Sequence, residues 1–466
     1  MYLTDRSTPP GADTEQGRRR GPRPTVAPVV LVLGAVSLIT DISSEMVTAV
    51  LPLYLVTTLG FSPLGFGALD GVYNGFSALV QLAGGHLADR VRNHKLMAGL
   101  GYGLSALCKP LLLLAGSLGT LGTVLALERT GKGLRTAPRD AMISLSTPPE
   151  NQGRAFGVHR AMDTTGAMLG PLAAFVILRM AVDGYDAVFG VSTCVAALGV
   201  VVLVLFVPGR QQGAQSAAGA ATDAGGGPTD GPGEPTGEPG GAAGERPVRV
   251  QLVRQRGPRD AAGAAGGKRP VDLREALALL RLPRLRALAG CAALLGLTTV
   301  SDAFVYLLLQ RRAGIGEQWF TLLPLGTALV FLLLAVPVGA LSDRVGRRTV
   351  FLTGHLGLLT AYALLLWAPA TPALPFLVLA LHGTFYAATD GVLPATIADI
   401  VPEQLRATGL AIVGTSQALA RFCCSLAFGA AWTVWGDGPA LAGSAIGLLC
   451  CATVAGIALR PAGGTR

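Results

Sequence analysis

Charge is what this chain has least of. Only 14% of its 466 residues are Asp, Glu, Lys or Arg, where a soluble globular chain carries about 25%. Aromatic residues make up 6%, and lysine is scarce beside arginine. No C-x-x-C spacing occurs: Cys108, Cys194, Cys291, Cys423, Cys424, Cys450 and Cys451 all fall inside apolar stretches. That excludes a disulfide framework and a zinc site and leaves helix packing as their role. No Gly-x-x-x-x-Gly-Lys-Ser/Thr segment is present, so ATP is excluded as a direct driving force. The net charge of +9 does not make a nucleic-acid surface, because the basic residues cap apolar runs instead of gathering in one patch.

What the chain does have is apolar length. Residues of hydrophobic type make up 51% of it, and its mean hydropathy is +0.52. A membrane-crossing helix needs about 20 mainly apolar residues. Twelve such stretches are legible, at 29–56, 64–88, 96–116, 120–145, 155–181, 186–207, 285–310, 318–341, 349–368, 374–399, 405–432 and 439–459. Ahead of them, residues 1–28 are a polar tail with Arg18, Arg19, Arg20 and Arg23. Asp41 and Glu45 interrupt the apolar run that follows and no cleavage site is evident, so the first span is read as retained. Residues 209–270 are mostly Gly, Ala, Pro, Thr and Arg, a composition that cannot bury a core. They divide a six-span half at 29–208 from a second at 271–460, followed by a tail at 461–466. Leu273 to Leu285 reads as an amphipathic surface helix. Short loops place Arg90, Arg92, Lys95, Arg154, Arg344, Arg347, Arg348 and Arg406 on the side of the tail and linker, so both termini are expected in the cytoplasm.

The halves are copies of one unit. Gly85-His-Leu87-Ala-Asp89-Arg90 returns as Gly339-Ala-Leu341-Ser-Asp343-Arg344, 254 positions on, and Arg154-Ala155-Phe-Gly157 returns as Arg406-Ala407-Thr-Gly409, 252 positions on. Repeated membrane halves of this kind build a large class of transporters. The first motif resembles the loop signature of the major facilitator superfamily, and the second copy completes it through Val345-Gly346-Arg347-Arg348. The first copy departs from it, with Arg92, Asn93 and His94 where Gly-Arg-Arg/Lys is expected. The resemblance implies an all-α membrane protein of twelve transmembrane helices, in which these loops act as a conformational latch. Asp89 and Asp343 are then expected beside helix ends of the opposite half.

Ionisable residues inside spans face a cavity or one another. Glu128, Lys132, Arg135 and Arg139 are spaced 0, 4, 7 and 11 in the fourth span and fall within about 60° of helix arc. Arg129 and Asp140 run beside them. His159, Asp163, Gly166 and Gly170 repeat the spacing in the fifth span, with Arg160 adjacent, and Asp70, Asn74, Ser77 and Gln81 do so in the second. Asp41 and Glu45 are one turn apart. Matched by depth, five acids (Asp41, Glu45, Glu128, Asp140, Asp163) share a region with five bases (Arg129, Lys132, Arg135, Arg139, Arg160). Either this is a neutralised structural network, or one or two of the acids titrate and couple protons to movement; Asp41 and Glu45 are the first candidates, as a pair sharing one proton. The third, sixth, ninth and twelfth spans are nearly free of charge, Lys109 and His355 excepted. In the second half Asp302, Asp390, Asp399 and Arg421, with Tyr306, Gln310, Tyr386 and Gln417, are either substrate contacts or polar packing residues.

Three further stretches add to the resemblance. Gly166-x-x-x-Gly170-Pro171 is similar to the fifth-span motif of drug–proton antiporters, although Ala174 and Phe175 stand where its last glycines would be. Arg129-Thr-Gly131-Lys-Gly133 resembles a fourth-span motif whose arginine takes part in proton transfer. Thr40-Asp41-Ile-Ser-Ser44-Glu45-Met resembles a prokaryotic branch whose members mostly lack an assigned substrate; some relatives there are associated with magnetosome membranes. The expectation is a multi-pass transporter of a bacterial cytoplasmic membrane, not an enzyme, functioning as a monomer and driven by the proton gradient without cofactor or resident metal. Efflux of a small organic molecule is the first reading. Uptake of an anionic metabolite, on the fourth-span bases, and metal-ion transport are the alternatives, and a non-transporting sensor is disfavoured by the charges kept in the cavity.

Overall fold

The computed structural model describes residues 27–90, 93–148, 151–208, 279, 281–390, 392–401 and 406–459. The proposed linker and most of the amphipathic helix lie outside the described residues. The first half consists of α1 (Pro28–Leu53), extended by a π-helical turn over Tyr54–Thr58, α2 (Pro63–Arg90), α3 (His94–Leu114), α4 (Leu118–Leu145), α5 (Gln152–Met180) and α6 (Gly184–Phe206). The second half contains α7 (Pro283–Gly296), α8 (Asp302–Ala313), α9 (Glu317–Phe320), α10 (Leu323–Val345), α11 (Arg347–Trp367), α12 (Leu374–Thr389), α13 (Val392–Ile400), α14 (Arg406–Trp435) and α15 (Asp437–Ala458). Two expected spans thus comprise two helices each. The seventh is broken between Gly296 and Asp302, and the tenth is described in two pieces on either side of residue 391, which lies outside the described residues.

Among the described residues, eight helices are long and apolar enough to cross a bilayer on their own. The other four spans of the twelve are the seventh and tenth, with α2 and α4, whose inward faces carry the polar residues read above. Large apolar side chains point outward all round, among them Leu107, Val336, Trp367 and Phe376, each more than two-thirds exposed. That is the surface of a bundle solvated by hydrocarbon, where helices satisfy most backbone groups internally.

Pairing repeats between halves. α1 packs on α5 and α6, α2 on α4, and α3 on α4 and α6; in the second half α7 packs on α14 and α15, α10 on α12, and α11 on α12 and α15. Small residues permit the closest of these approaches. A Cβ on Gly131 of α4 would stand 2.7 Å from the Gly101 carbonyl oxygen of α3. On α5, Gly166 abuts the Leu38 backbone of α1. Gly346 closes α10 at φ +98°, a conformation that glycine adopts without strain. In the first motif copy Arg92, outside the described residues, stands in place of that glycine, and the next residue, Asn93, caps α3 by accepting from the Leu96 N–H at 3.1 Å.

The halves meet chiefly where α2 lies along α14. The joining contacts described sit between mid-bundle and the end away from the termini: Leu64 N–H to Thr433 Oγ1 at 2.9 Å, Tyr185 to Glu317 at 3.1 Å, and ring contacts Phe66–Phe304 and Phe175–Trp319. At the terminal end Asp343 is exposed and pairs with Arg347, one turn on in its own half, at 3.7 Å. Among the described residues Asp343 is thus paired within its own half, while the joining contacts between halves lie toward the other end. Arg344 is likewise exposed. The side chains of Gly85, Asp89 and Arg90 lie outside the described residues, as do those of Gln81 and Asp399.

Gly170 supplies a packing test. A Cβ there would stand 2.7 Å from Glu45 Cβ and 2.9 Å from the Ile42 carbonyl oxygen, whereas one on Gly103 of α3 meets nothing within 4 Å. Gly170→Val is expected to cost about 1–3 kcal/mol by overpacking, and Gly103→Ala to be neutral or slightly stabilising. Thermal midpoints of the two variants in detergent check this.

Candidate functional site

The charged residues of the first half form two networks. In the first, α4 presents Arg135 to Asp41 of α1 at 3.6 Å, with Arg135 lying over the Tyr102 ring of α3 at 4.5 Å. One turn along α4, Arg139 reaches Asp140 at 3.0 Å and Asp163 of α5 at 3.7 Å. Asp163 also meets Arg160 at 3.6 Å, though the Arg160 side chain is mostly exposed. His159 joins through Ser37, its Nε2 3.0 Å from the hydroxyl, to which Arg139 also donates at 3.3 Å. Asp41 and Asp163 lie within hydrogen-bonding reach of each other. Asp163 is thus a carboxyl neighbour of Asp41, and Glu45 stands within electrostatic reach of Asp41 without a hydrogen bond to it among the described residues.

The second network is separate. Glu128 pairs with Arg129 at 2.7 Å and with Lys109 of α3 at 3.4 Å. Arg129 stacks 3.7 Å over the Tyr73 ring of α2, and the Tyr73 hydroxyl is 2.7 Å from Thr48 Oγ1 of α1. Lys109 is thus a buried partner of α4, not a residue of a helix end. Lys132 lies on the stripe between Glu128 and Arg135, and it is the cation acting most strongly on both Asp41 and Glu45.

Glu45 itself turns to the space between the halves. There α1, α2, α5, α8, α10, α12 and α14 enclose a cavity of about 410 Å³, within the size range of small-molecule sites. Asp70, Asn74, Asp302, Tyr306, Tyr386, Asp390 and Arg421 line it as well. Asp70 of α2 accepts from Asn74 at 3.1 Å and, across the halves, from Ser425 of α14 at 2.6 Å. The break between α7 and α8 places Asp302 at the start of α8, where Tyr386 donates to its Oδ1 at 2.6 Å and His382 Nε2 stands 3.0 Å from the same atom. Tyr306 donates to Thr327 at 3.0 Å. Gln417 is absent from the lining and sits against Gly296 of α7. His382, Ser425 and Tyr73 had no place in the sequence reading, although His382 is four residues before Tyr386 and so shares its helix face.

Gly166, Gly170 and Pro171 occupy the α1–α5 contact. Gly166 backs onto Leu38 and Gly170 onto Glu45, and Pro171 reaches the cavity wall. The glycines bring α5 close enough for Asp163 to meet Asp41.

Comparison with known proteins settles the family. Residues 33–425 match the model of the Major Facilitator Superfamily. The chain belongs to that superfamily. It is 27% identical over 431 residues to an uncharacterised MFS-type transporter of Methanocaldococcus jannaschii, an alignment covering 90% of this chain and 92% of the relative. It is also 34% identical over 164 residues to an uncharacterised protein of Mycobacterium tuberculosis, covering 35% of this chain and 40% of that one. Among solved structures, the nucleoside transporter NupG superposes with a TM-score of 0.69 at 12% identity, covering 93% of this chain and all of the other. A bacterial homologue of the human lysosomal transporter Spinster gives 0.66 at 16%, covering 94% and 98%. This superfamily member is accordingly a multi-pass membrane transporter and not an enzyme.

The networks differ in what their loss should do. Glu128 is 3% exposed, so Glu128→Gln strands Lys109 and Arg129 in the bundle, and such a break costs about 3–5 kcal/mol. The Asp140 side chain is 44% exposed, and Asp140→Asn should cost about 1 kcal/mol or less. Thermal unfolding of the purified variants is expected to show the larger loss for Glu128→Gln.

Proposed function

We propose that this transporter is a proton-coupled exporter of a small organic molecule, working by alternating access around the central cavity. The observation that carries the reading is Glu45. Its carboxylate lines the cavity and makes no hydrogen bond or ion pair with any other described residue, yet it stands one turn from Asp41 and under the influence of Lys132. A carboxylate so placed is accessible to a proton and to substrate at once. The Asp41–Asp163 contact supplies the second element. Two carboxyl groups this close cannot both ionise easily, so Asp41 is placed to hold a proton beside Asp163. Release of that proton strengthens the attraction of both acids to Arg135 and Arg139. Because the acids sit on α1 and α5 and the bases on α4, the proton's presence biases how these three helices pack.

The short-loop arginines put the terminal end in the cytoplasm. Among the described residues the joining contacts lie toward the opposite end, which supports a reading in which the cavity loads from the cytoplasm, as an exporter's does. No cofactor enters this cycle; the plasma-membrane proton gradient drives it. A second reading, uptake of an anionic metabolite, is favoured by Arg421, whose guanidinium lines the cavity with its Nε unpartnered among the described residues. The two readings differ in direction and in charge. Inverted vesicles carrying the protein, with an interior-acid gradient, should accumulate a fluorescent organic cation such as ethidium. Accumulation of an organic anion by right-side-out vesicles, with none of the cation in inverted ones, would favour uptake instead.

Asp41→Asn and Glu45→Gln are each expected to abolish gradient-driven accumulation, a loss of at least tenfold, while leaving substrate exchange without a gradient. Parallel assays of accumulation and counterflow in proteoliposomes check this. Accumulation against a gradient by both variants with unaltered pH dependence would make the two acids structural.

A further inference from the structure

The cavity wall carries four carboxylates, Glu45, Asp70, Asp302 and Asp390, against the single guanidinium of Arg421 among its described residues. Those carboxylates are not equivalent. Both oxygens of Asp70 are taken, Oδ1 by Asn74 and Oδ2 by Ser425. In Asp302, one oxygen is taken twice and the other not at all. Oδ1 receives the Tyr386 hydroxyl at 2.6 Å and lies 3.0 Å from His382 Nε2, while Oδ2 has no partner among the described residues. The Asp302 side chain remains 43% exposed although it sits in mid-bundle; what it is exposed to is the cavity.

The geometry around His382 shows how Asp302 is held. His382 is fully buried, and its Nδ1 has no hydrogen-bond partner among the described residues. A proton on Nδ1 would be a buried donor with nothing to receive it, which is costlier than a bare nitrogen lone pair. The hydrogen between the two residues therefore belongs to Nε2, which donates to Asp302. Two donors on α12 thus fix a carboxylate that begins α8, at the break in the seventh span. Unwound backbone at mid-membrane is tolerated where it lines a cavity, and Thr299, Val300 and Ser301 of the break do line it. A carboxylate with one oxygen locked and the other open is a preorganised acceptor for a charged donor. Around it Phe66, Tyr73, Tyr306 and Phe331 supply aromatic walls, and ring faces attract organic cations.

We propose that Asp302 binds the cationic nitrogen of an amphipathic organic cation carried in this cavity, and that His382 is the residue that positions it. The inference rests on the central cavity being the transport site. It does not depend on coupling or direction, because equilibrium binding without a gradient reads neither. The full-length protein in nanodiscs of zwitterionic lipid is titrated with ethidium by fluorescence anisotropy, with tetraphenylphosphonium as competitor and fluorescein as an anionic control. Saturable cation binding is expected, weakened at least tenfold by Asp302→Asn. His382→Phe, which cannot donate, should weaken binding three- to tenfold, and His382→Gln, whose amide can reach Asp302 as a donor, should restore most of it. Tyr386→Phe removes a hydroxyl alone and gives an independent reading should the His382 variants fail to fold; it too should weaken cation binding. Absence of saturable binding of both cations overturns the proposal, as does preferential binding of fluorescein. Unaltered affinity in Asp302→Asn overturns the ligand role. Equal affinities for His382→Phe and His382→Gln, with Tyr386→Phe unaffected, overturn the positioning role.

Discussion

A charge in hydrocarbon must find its partner inside the bundle, and that constraint organises the first half of this transporter. α4 carries Glu128, Arg129, Lys132, Arg135, Arg139 and Asp140 along one side, too many charges for a helix to keep against lipid. The helix is held inward, and its neighbours are chosen to answer it: Lys109 of α3 and Tyr73 of α2 on one flank, Asp41 of α1 and Asp163 of α5 on the other. The glycines of α5 follow from the same need, since Asp163 meets Asp41 only if α5 lies against α1. Removing the charges would remove the reason for the close α1–α5 packing.

The two flanks suit different work. Glu128, clamped between Lys109 and Arg129, is neutralised by two cations and has little cause to change state. Asp41 and Asp163 are two acids facing two arginines, an arrangement whose balance shifts with a single proton. The second half, with less charge to satisfy, spends irregular backbone on the cavity: the broken seventh span brings Asp302 to its wall, and Asp390 joins it from the end of α12. Coupling in one half and recognition in the other is a division that the repeat permits, because both halves keep the same helix pairing while their polar residues differ.

Much of this was legible in the sequence. The spans, the duplication and the polar stripe of α4 follow from hydropathy, spacing and the 3.6-residue period. Which residues touch did not follow. A stripe gives the face of one helix, not the rotation of the helix opposite, so Asp41 and Glu45, one turn apart, were read together although one points to α4 and α5 and the other to the cavity. The break at 297–301 carries neither Gly nor Pro inside it, only Thr298, Thr299, Val300 and Ser301 after Leu297, and periodicity passes over it. His382 lies in a helix that is otherwise apolar, and its role exists only through Asp302, 80 residues earlier. Lys109, an exception in a span otherwise nearly free of charge, finds its reason only in Glu128 of the neighbouring α4.

The central claim is that Asp41, beside Asp163, holds the coupling proton. Infrared difference spectroscopy on the purified protein, scanning the carboxyl C=O stretch while pH is stepped across the range of transport, tests it directly. The expected result is a protonated-carboxyl band that is lost in Asp41→Asn and in Asp163→Asn and retained in Glu128→Gln. A wild-type protein without such a band, or a band unchanged by both substitutions, would contradict the account.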